Sequence, residues 1–229
     1  MNSIDKLSHN WLMKRALNSA VARHLHLLQG RVYDFGCGTM PYEADILERA
    51  EEYVGVDWSN TLHGTRCELV ADLNSPLPIP SESADAIVSF EVLEHLCEPL
   101  NMLREANRIL RPGGVILITV PFQWWVHESP WDYFRYTRFG LDYLLRKAGF
   151  EDVCVEETTG FWEMWVLKLN YQSLRLIKGP RLLRKLIRAI LVPLWWVSQT
   201  TAGIVSSRWA SPNETAGYVV VGRKPGQAT

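Results

Sequence analysis

The sequence predicts an α/β protein built on a mostly parallel sheet with helices on both faces. Three observations carry this. Short apolar, β-branched runs alternate with helical patterns along most of the 229 residues. A glycine-bearing turn, Gly36-Cys37-Gly38, follows the first run. Acids stand at the ends of successive runs, at Asp34, Asp57 and Asp72.

The elements follow in order. Residues 3 to 29 read as one or two amphipathic helices, with Leu12, Ala16, Leu17 and Ala20 on a stripe that Val21, Leu25 and Leu28 extend. Gly30 stops them. Arg31 to Phe35 is a strand, Glu43 to Ala50 a helix, Tyr53 to Val56 a second strand and Cys67 to Val70 a third. Pro76, Pro78 and Pro80 make a stiff loop before a fourth strand, Ala84 to Phe90. Leu100 to Leu110 is a helix that Pro112, Gly113 and Gly114 end. Val115 to Val120 is the most apolar run and hence a central strand. Arg138 to Ala148 is a helix, Asp152 to Glu157 a sixth strand and Gly217 to Gly222 a seventh.

Composition narrows the function. Apolar residues make up 47%, enough for a full core. Net charge is −1, which argues against a dedicated nucleic-acid binder. Cys37, Cys67, Cys97 and Cys154 form no C-x-x-C pair, so neither a zinc ribbon nor a disulfide scaffold is expected. The first thirty residues are broken by charge and carry no export signal, so a cytoplasmic location is expected.

A strand, a G-x-G turn and a helix form a nucleotide-cofactor turn, because glycine lets the backbone approach a ligand. A dinucleotide site wants a further glycine, where this chain has Met40-Pro41, and no Lys-Ser/Thr marks a phosphate loop. Asp57 ends the second strand, where a carboxylate accepts hydrogen bonds from ribose hydroxyls. Asp72 follows the third strand, placed for an adenine amine. Each acid alone reads equally as a solvated loop residue; together with the turn they point to a cofactor site.

The strings YDFGCGT, GVDWS, ADLNSPLP, DAIVSFEVLEHL, NMLREANRILRPGGVILITVP and LLRKAGF resemble a class I S-adenosylmethionine-dependent methyltransferase, from about Gly30 to Thr158 and again in the last strand. The resemblance implies a Rossmann-like seven-stranded sheet whose final strand inserts antiparallel. It implies that S-adenosylmethionine is the cofactor. Asp34, Gly36 and Gly38 would line its methionine portion, Asp57 its ribose, Asp72 and Leu73 its adenine, with Glu91 beside the site. Cys37 and Trp58 belong to the same cofactor-binding stretches; Cys37 reads as a small packing residue, not a nucleophile. Met40-Pro41 departs from the family pattern and puts the loop shape beyond Thr39 in question.

Methyl transfer to an alcohol needs an aligned acceptor, exclusion of water and a base. His127, in the aromatic loop PFQWWVHESPWDYFRYT, is the expected base. Tyr133, Arg135 and Tyr136 are expected acceptor contacts. No metal is expected; the alternative set is Glu91, Glu94 and His95, whose E-x-x-E-H spacing could hold a divalent ion. The competing reading is that Glu94 and His95 cap the following helix.

Charge is unevenly spread. Residues 164 to 213 hold no acid and eight Lys or Arg, leaving −9 on the rest, and they include Trp165, Trp195, Trp196 and Trp209. This segment interrupts the expected hairpin between the sixth and seventh strands, with helical patterns at Trp162 to Ile177 and Pro180 to Val205. The second pattern sets Leu182, Leu183, Leu186, Ile187 and Ile190 beside Arg181, Arg184, Lys185 and Arg188, an amphipathic helix with a cationic face. Three readings stand: a contact with an anionic membrane surface, a lid or dimer surface, or a grip on an anionic acceptor.

The expected organisation is a helical segment at 1–29, a cofactor-binding core at 30–159 and 214–224, and a basic, Trp-rich helical insertion at 160–213. The expected activity is O-methylation of a sugar or lipid-linked glycan at the inner face of the membrane, the glycan element resting on resemblance at residues 131–150. A quinone-like or polyketide-like acceptor is the rival substrate. A non-catalytic membrane-associated module is the rival class. Nucleic acid is not an expected partner, and self-association is left open.

Overall fold

The computed structural model describes residues 5–58, 64–208 and 213–226. Trp209 lies outside them. Strands β1 (Gly30–Phe35), β2 (Ala50–Asp57), β3 (Leu69–Val70), β4 (Ala84–Phe90), β5 (Leu110–Pro121), β6 (Glu151–Glu157) and β7 (Gly217–Arg223) form one sheet in the order β3-β2-β1-β4-β5-β7-β6. β1 through β5 pair in parallel, and β7 runs antiparallel to both its neighbours. This is the Rossmann-like, seven-stranded architecture with an antiparallel last strand.

Alternation along the buried strands feeds two cores. Ile116, Ile118 and Val120 of β5 face one side, where Leu103 and Ala106 of α3 (Pro99–Ile109) and Leu141 and Leu145 of α4 (Arg138–Lys147) cover them. Leu117 faces the other side, against Ala20 and Val21 of α1 (Trp11–His24) and Ile46 of α2 (Glu43–Leu47). Thr137 caps α4, its Oγ1 accepting from Gly140 N at 3.1 Å.

Several element limits differ from the sequence reading. Ala50, read as the end of a helix, opens β2 because it pairs with Gly30. Leu110 likewise leaves the helix and pairs with Ala84, and a register irregularity between Ala84 and Ala86 takes up the Pro-Gly-Gly that follows. The third strand shrinks to Leu69–Val70 at the sheet edge. Among the described residues of the amino-terminal segment, only Trp11–His24 is α-helical, followed by one 3-10 turn.

Between β6 and β7 the chain makes α5 (Phe161–Ser173) and α6 (Arg181–Arg208). They meet α1 in a small third core of Leu12, Met164, Leu167, Ala202 and Ala216. Glu163 starts α5 by accepting from Gly160 N at 2.9 Å, and it pairs with Arg15 at 3.3 Å. Gln199 of α6 accepts from Leu12 N at 2.9 Å and donates to Ser8 O at 3.0 Å.

Candidate active site

A cleft of about 360 Å³ opens at the carboxyl ends of β1, β2 and β4, where parallel α/β sheets bind ligands. Its floor is the glycine turn. Gly36 has φ +78°, and a side chain there would collide with Val92. Gly38 has φ +49° and faces open space within the cleft lining. The Met40-Pro41 departure resolves simply: Met40 takes φ +55° and buries its side chain over Gly55. A Cβ on residue 55 would strike Met40, so the second strand supplies the close approach that a further loop glycine supplies elsewhere.

The acids hold this floor and leave room for a ligand. Asp57 accepts from Gly38 N at 2.9 Å through Oδ2 and from Trp58 N at 2.8 Å through Oδ1, fixing the turn against β2. Asp34 is 2% exposed. Its Oδ2 accepts from Tyr53 OH, while its Oδ1 has no partner. Burial raises its carboxyl to about 7. Glu91 follows β4 with φ +55°, and burial raises it also to about 7. Asp72 folds an Asx turn, accepting from Asn74 N at 2.9 Å, and Leu73 beside it is buried in the lining.

The residues fit S-adenosylmethionine. An orphaned buried carboxylate oxygen suits a cation, and the cofactor carries an ammonium and a sulfonium. Asp57 and Asp72 also line the cleft, and their carboxylates can accept from hydroxyls and amines. Cys37 is 3% exposed, and burial pushes its thiol up to about 12, which suits packing and not nucleophilic attack. Trp58 meets Trp131 edge to face at 5.2 Å, so aromatic rings from β2 and from the loop after β5 flank the cleft together.

The loop from Phe122 to Thr137 is pinned to the turn at Leu93–His95. Tyr133 N and Phe134 N both donate to Glu94 O, at 2.9 and 3.2 Å. Tyr136 OH donates to Leu93 O at 3.0 Å. His95 Nδ1 lies 2.9 Å from Trp131 O. A carbonyl only accepts, so Nδ1 carries the hydrogen and Nε2 of the neutral ring presents a lone pair.

This geometry corrects the sequence reading of the loop. His95, not His127, lines the cleft. His127 packs edge to face against His95 at 4.9 Å, one ring further back. Its Nδ1 is crowded by Arg135 Nη2 at 3.2 Å, Asp132 Oδ2 at 3.3 Å and Trp125 O at 3.3 Å. Burial lowers the His127 pKa from its ordinary value. Arg135 does not line the cleft: it forks onto Asp132 at 2.5 and 2.7 Å and donates to Trp125 O at 2.8 Å. Burial opposes ionisation of Asp132, yet the Arg135 hydrogen bonds and the His127 N–H hold it down to about 2. Tyr136 is 7% exposed behind the wall, whereas Tyr133 lines the cleft.

Glu94 and His95 do not cap α3, whose amino-terminal residue Glu98 has no side-chain cap. Glu94 is fully buried and neither of its oxygens has a hydrogen-bond partner. Burial, with the nearby Glu91, raises its pKa well above the carboxylate range. Among the described residues, Glu94, His95 and His127 bring one ligand atom each to within 4.8 Å of one another. Glu91 is not in that group, so the E-x-x-E-H triple does not converge as its spacing suggested.

Comparison with known proteins agrees with this site. Residues 33–118 match the methyltransferase domain family. A probable S-adenosylmethionine-dependent methyltransferase of Mycolicibacterium smegmatis is 32% identical over 152 residues, covering 60% of this chain and 58% of that one. A ubiquinone biosynthesis O-methyltransferase of Cereibacter sphaeroides is 25% identical over 150 residues, covering 54% and 61%. The chain thus spans under two thirds of these relatives' length. Among solved structures, the [4+2]-cyclase SpnF superposes with TM-score 0.59 at 20% identity over 94% of this chain and 83% of that one. A Haemonchus contortus phosphoethanolamine N-methyltransferase with S-adenosylhomocysteine gives 0.58 at 17%, over 95% and 56%. The family match spans β1 to most of β5, the solved neighbours share the fold, and the names of the relatives agree with S-adenosylmethionine as the cofactor this cleft would hold.

Proposed function

We propose that the chain transfers the methyl group of S-adenosylmethionine to an oxygen of a sugar or lipid-linked glycan near a membrane surface. The observation that carries the reading is the meeting of two walls in one cleft. Strand ends bearing Asp34, Asp57 and Asp72 form one; His95, Glu128, Trp131 and Tyr133 form the other. When bound, S-adenosylmethionine supplies an electrophilic methyl group with a good leaving group.

The chain's residues do the rest. Asp34 and Asp57 fix the nucleoside. Trp58 and Trp131 exclude water and offer flat apolar faces to a sugar ring. His95 Nε2 takes the proton of the acceptor hydroxyl, and Trp131 O holds the ring in the tautomer that this requires. The imidazolium formed lies near the acidic side chains of Glu94, Oε1 at 3.5 Å, and Glu128, Oε2 at 3.8 Å from Nε2. Asp132 and Arg135 hold the loop so that Trp131 and His95 stay together.

The test is incubation of the purified chain with isotopically labelled methyl donor and a membrane extract. Mass-labelled methyl ethers in the glycan or lipid-linked glycan fraction are expected. Cofactor binding without label in either fraction would overturn the reading. A second reading, methylation of a quinone-like phenol, is supported by the ubiquinone relatives and predicts label in the neutral lipid fraction.

A further inference from the structure

Helix α6 has two unlike sides. Trp195, Gln199 and Ala202 are buried at four- and three-residue spacing and fasten its second half to α5 and α1. Trp195 Nε1 donates to Ser173 Oγ at 2.7 Å, and Gln199 bonds to Leu12 and Ser8. The other side carries Leu183, Leu186, Ile190, Leu194 and Val197, again at helical spacing, and they are 47%, 56%, 65%, 56% and 48% exposed. Nothing among the described residues covers this stripe.

The first half of α6 also carries Arg181, Arg184, Lys185 and Arg188, all exposed. Their i, i+3, i+4, i+7 spacing sets them together on one face of the helix. Among the described residues, no salt bridge involves any of the four, and residues 164 to 213 contain no acid. Four like charges held together call for an anionic counterpart.

Charge decides the occupant. A second copy packed through the same stripe would leave these cations unpaired, because at helical spacing they project from the opposite side of α6. An anionic bilayer supplies both needs, acyl chains for the stripe and phosphates for the cations. Trp165 and Trp196, exposed at 49% and 45%, suit headgroup depth. The helix is long and apolar enough to cross a bilayer, but buried Gln199 and Trp195 tie it to the protein body, so it lies along the interface instead.

We infer that α6 docks on an anionic lipid surface, its Leu183–Val197 stripe at the acyl boundary and the four cations of its polar face on headgroup phosphates. Docking goes beyond methyl transfer and is read without turnover. The loop carrying His127 and Trp131 stacks on the same insertion, Trp125 against Tyr171 at 4.3 Å, so the cleft shares a frame with the docked helix.

The experiment is flotation of the full chain with vesicles of phosphatidylcholine alone or mixed with phosphatidylglycerol. Recovery with the mixed vesicles only is expected, falling as salt is raised. R181E/R184E/K185E/R188E and, separately, L186S/I190S/L194S should each weaken partitioning by at least about tenfold while S-adenosylmethionine affinity is unchanged. The retained affinity shows that each variant is folded. No recovery with mixed vesicles overturns the inference. So does a dimer in sedimentation that the stripe variant dissolves, or saturable binding of inorganic phosphate without vesicle binding. Failure of methyl transfer leaves this readout intact, so the two proposals fail separately.

Discussion

His95 and His127 meet edge to face, ring centroids 4.9 Å apart, and the former stands between the latter and the cleft. The arrangement assigns them different tasks. His95→Asn should lower single-turnover methyl transfer by roughly a hundredfold or more and leave cofactor affinity unchanged. His127→Ala should cost less, through loss of packing behind His95. Equal losses, or full turnover in His95→Asn, would remove His95 as the base.

The same ring bears on metal use. If Nε2 of His95 is a base, turnover persists after dialysis against a strong chelator. A loss of turnover that a divalent ion restores would make Nε2, with Glu94 and His127, a ligand set.

Asp34 predicts a pH dependence with a definite sign. Its folded carboxyl sits at about 7, above the ordinary 3.8, because burial disfavours the charge. The apo protein therefore loses stability as pH rises from the ordinary value through about 7, and its melting temperature should fall over that window. A cationic ligand favours the carboxylate. S-adenosylmethionine should bind more tightly as pH rises toward 7 and level off above it, with proton release visible by calorimetry in buffers of different ionisation enthalpy. Asp34→Asn should abolish the proton release.

The two turn glycines should separate folding from binding. Gly36→Ala forces a methyl group into Val92 at φ +78° and should lower the melting temperature. Gly38→Ala meets no atom within 4 Å, so its stability cost is near the ~1 kcal/mol of a left-handed alanine. Its methyl group points into the cleft's open space, and cofactor affinity should fall more than stability does.

Arg135→Leu leaves the Asp132 carboxylate, 1% exposed, without its guanidinium. The loss should be about 3 kcal/mol, typical of a broken buried pair, or roughly 6–12 °C in a chain of this size. In the parent protein Asp132, held at about 2, stabilises the fold above its ordinary pKa. That contribution is lost as pH falls toward 2. Melting curves of parent and variant should therefore converge at low pH.

Much of the fold was legible because strand and helix periods are local. Ala84–Phe90 was read at its true limits, and the seven strands were found. The errors fell where pairing with another strand decides: Ala50 and Leu110 are helix-compatible residues recruited by Gly30 and Ala84. The cleft floor was equally readable, since strand order brings Asp34, Asp57 and Asp72 to one edge whatever the loops do. The acceptor wall was not. Which loop residue faces inward depends on bonds such as Tyr133 N to Glu94 O, between residues thirty-nine positions apart, and no periodicity reports them. The signal that could have found His95 was its place just past the fourth strand, next to the cofactor edge.

Thr159 and Thr215 join hands at the root of the helical insertion. Thr159 N donates to Thr215 Oγ1 at 3.1 Å, and Ala216 N donates to Thr159 Oγ1 at 2.8 Å, both buried. With its two stems clasped there, the excursion can lengthen, shrink or be exchanged while β6 and β7 keep their alignment. Such a graft point uncouples the helical excursion from the strand edges that line the cleft.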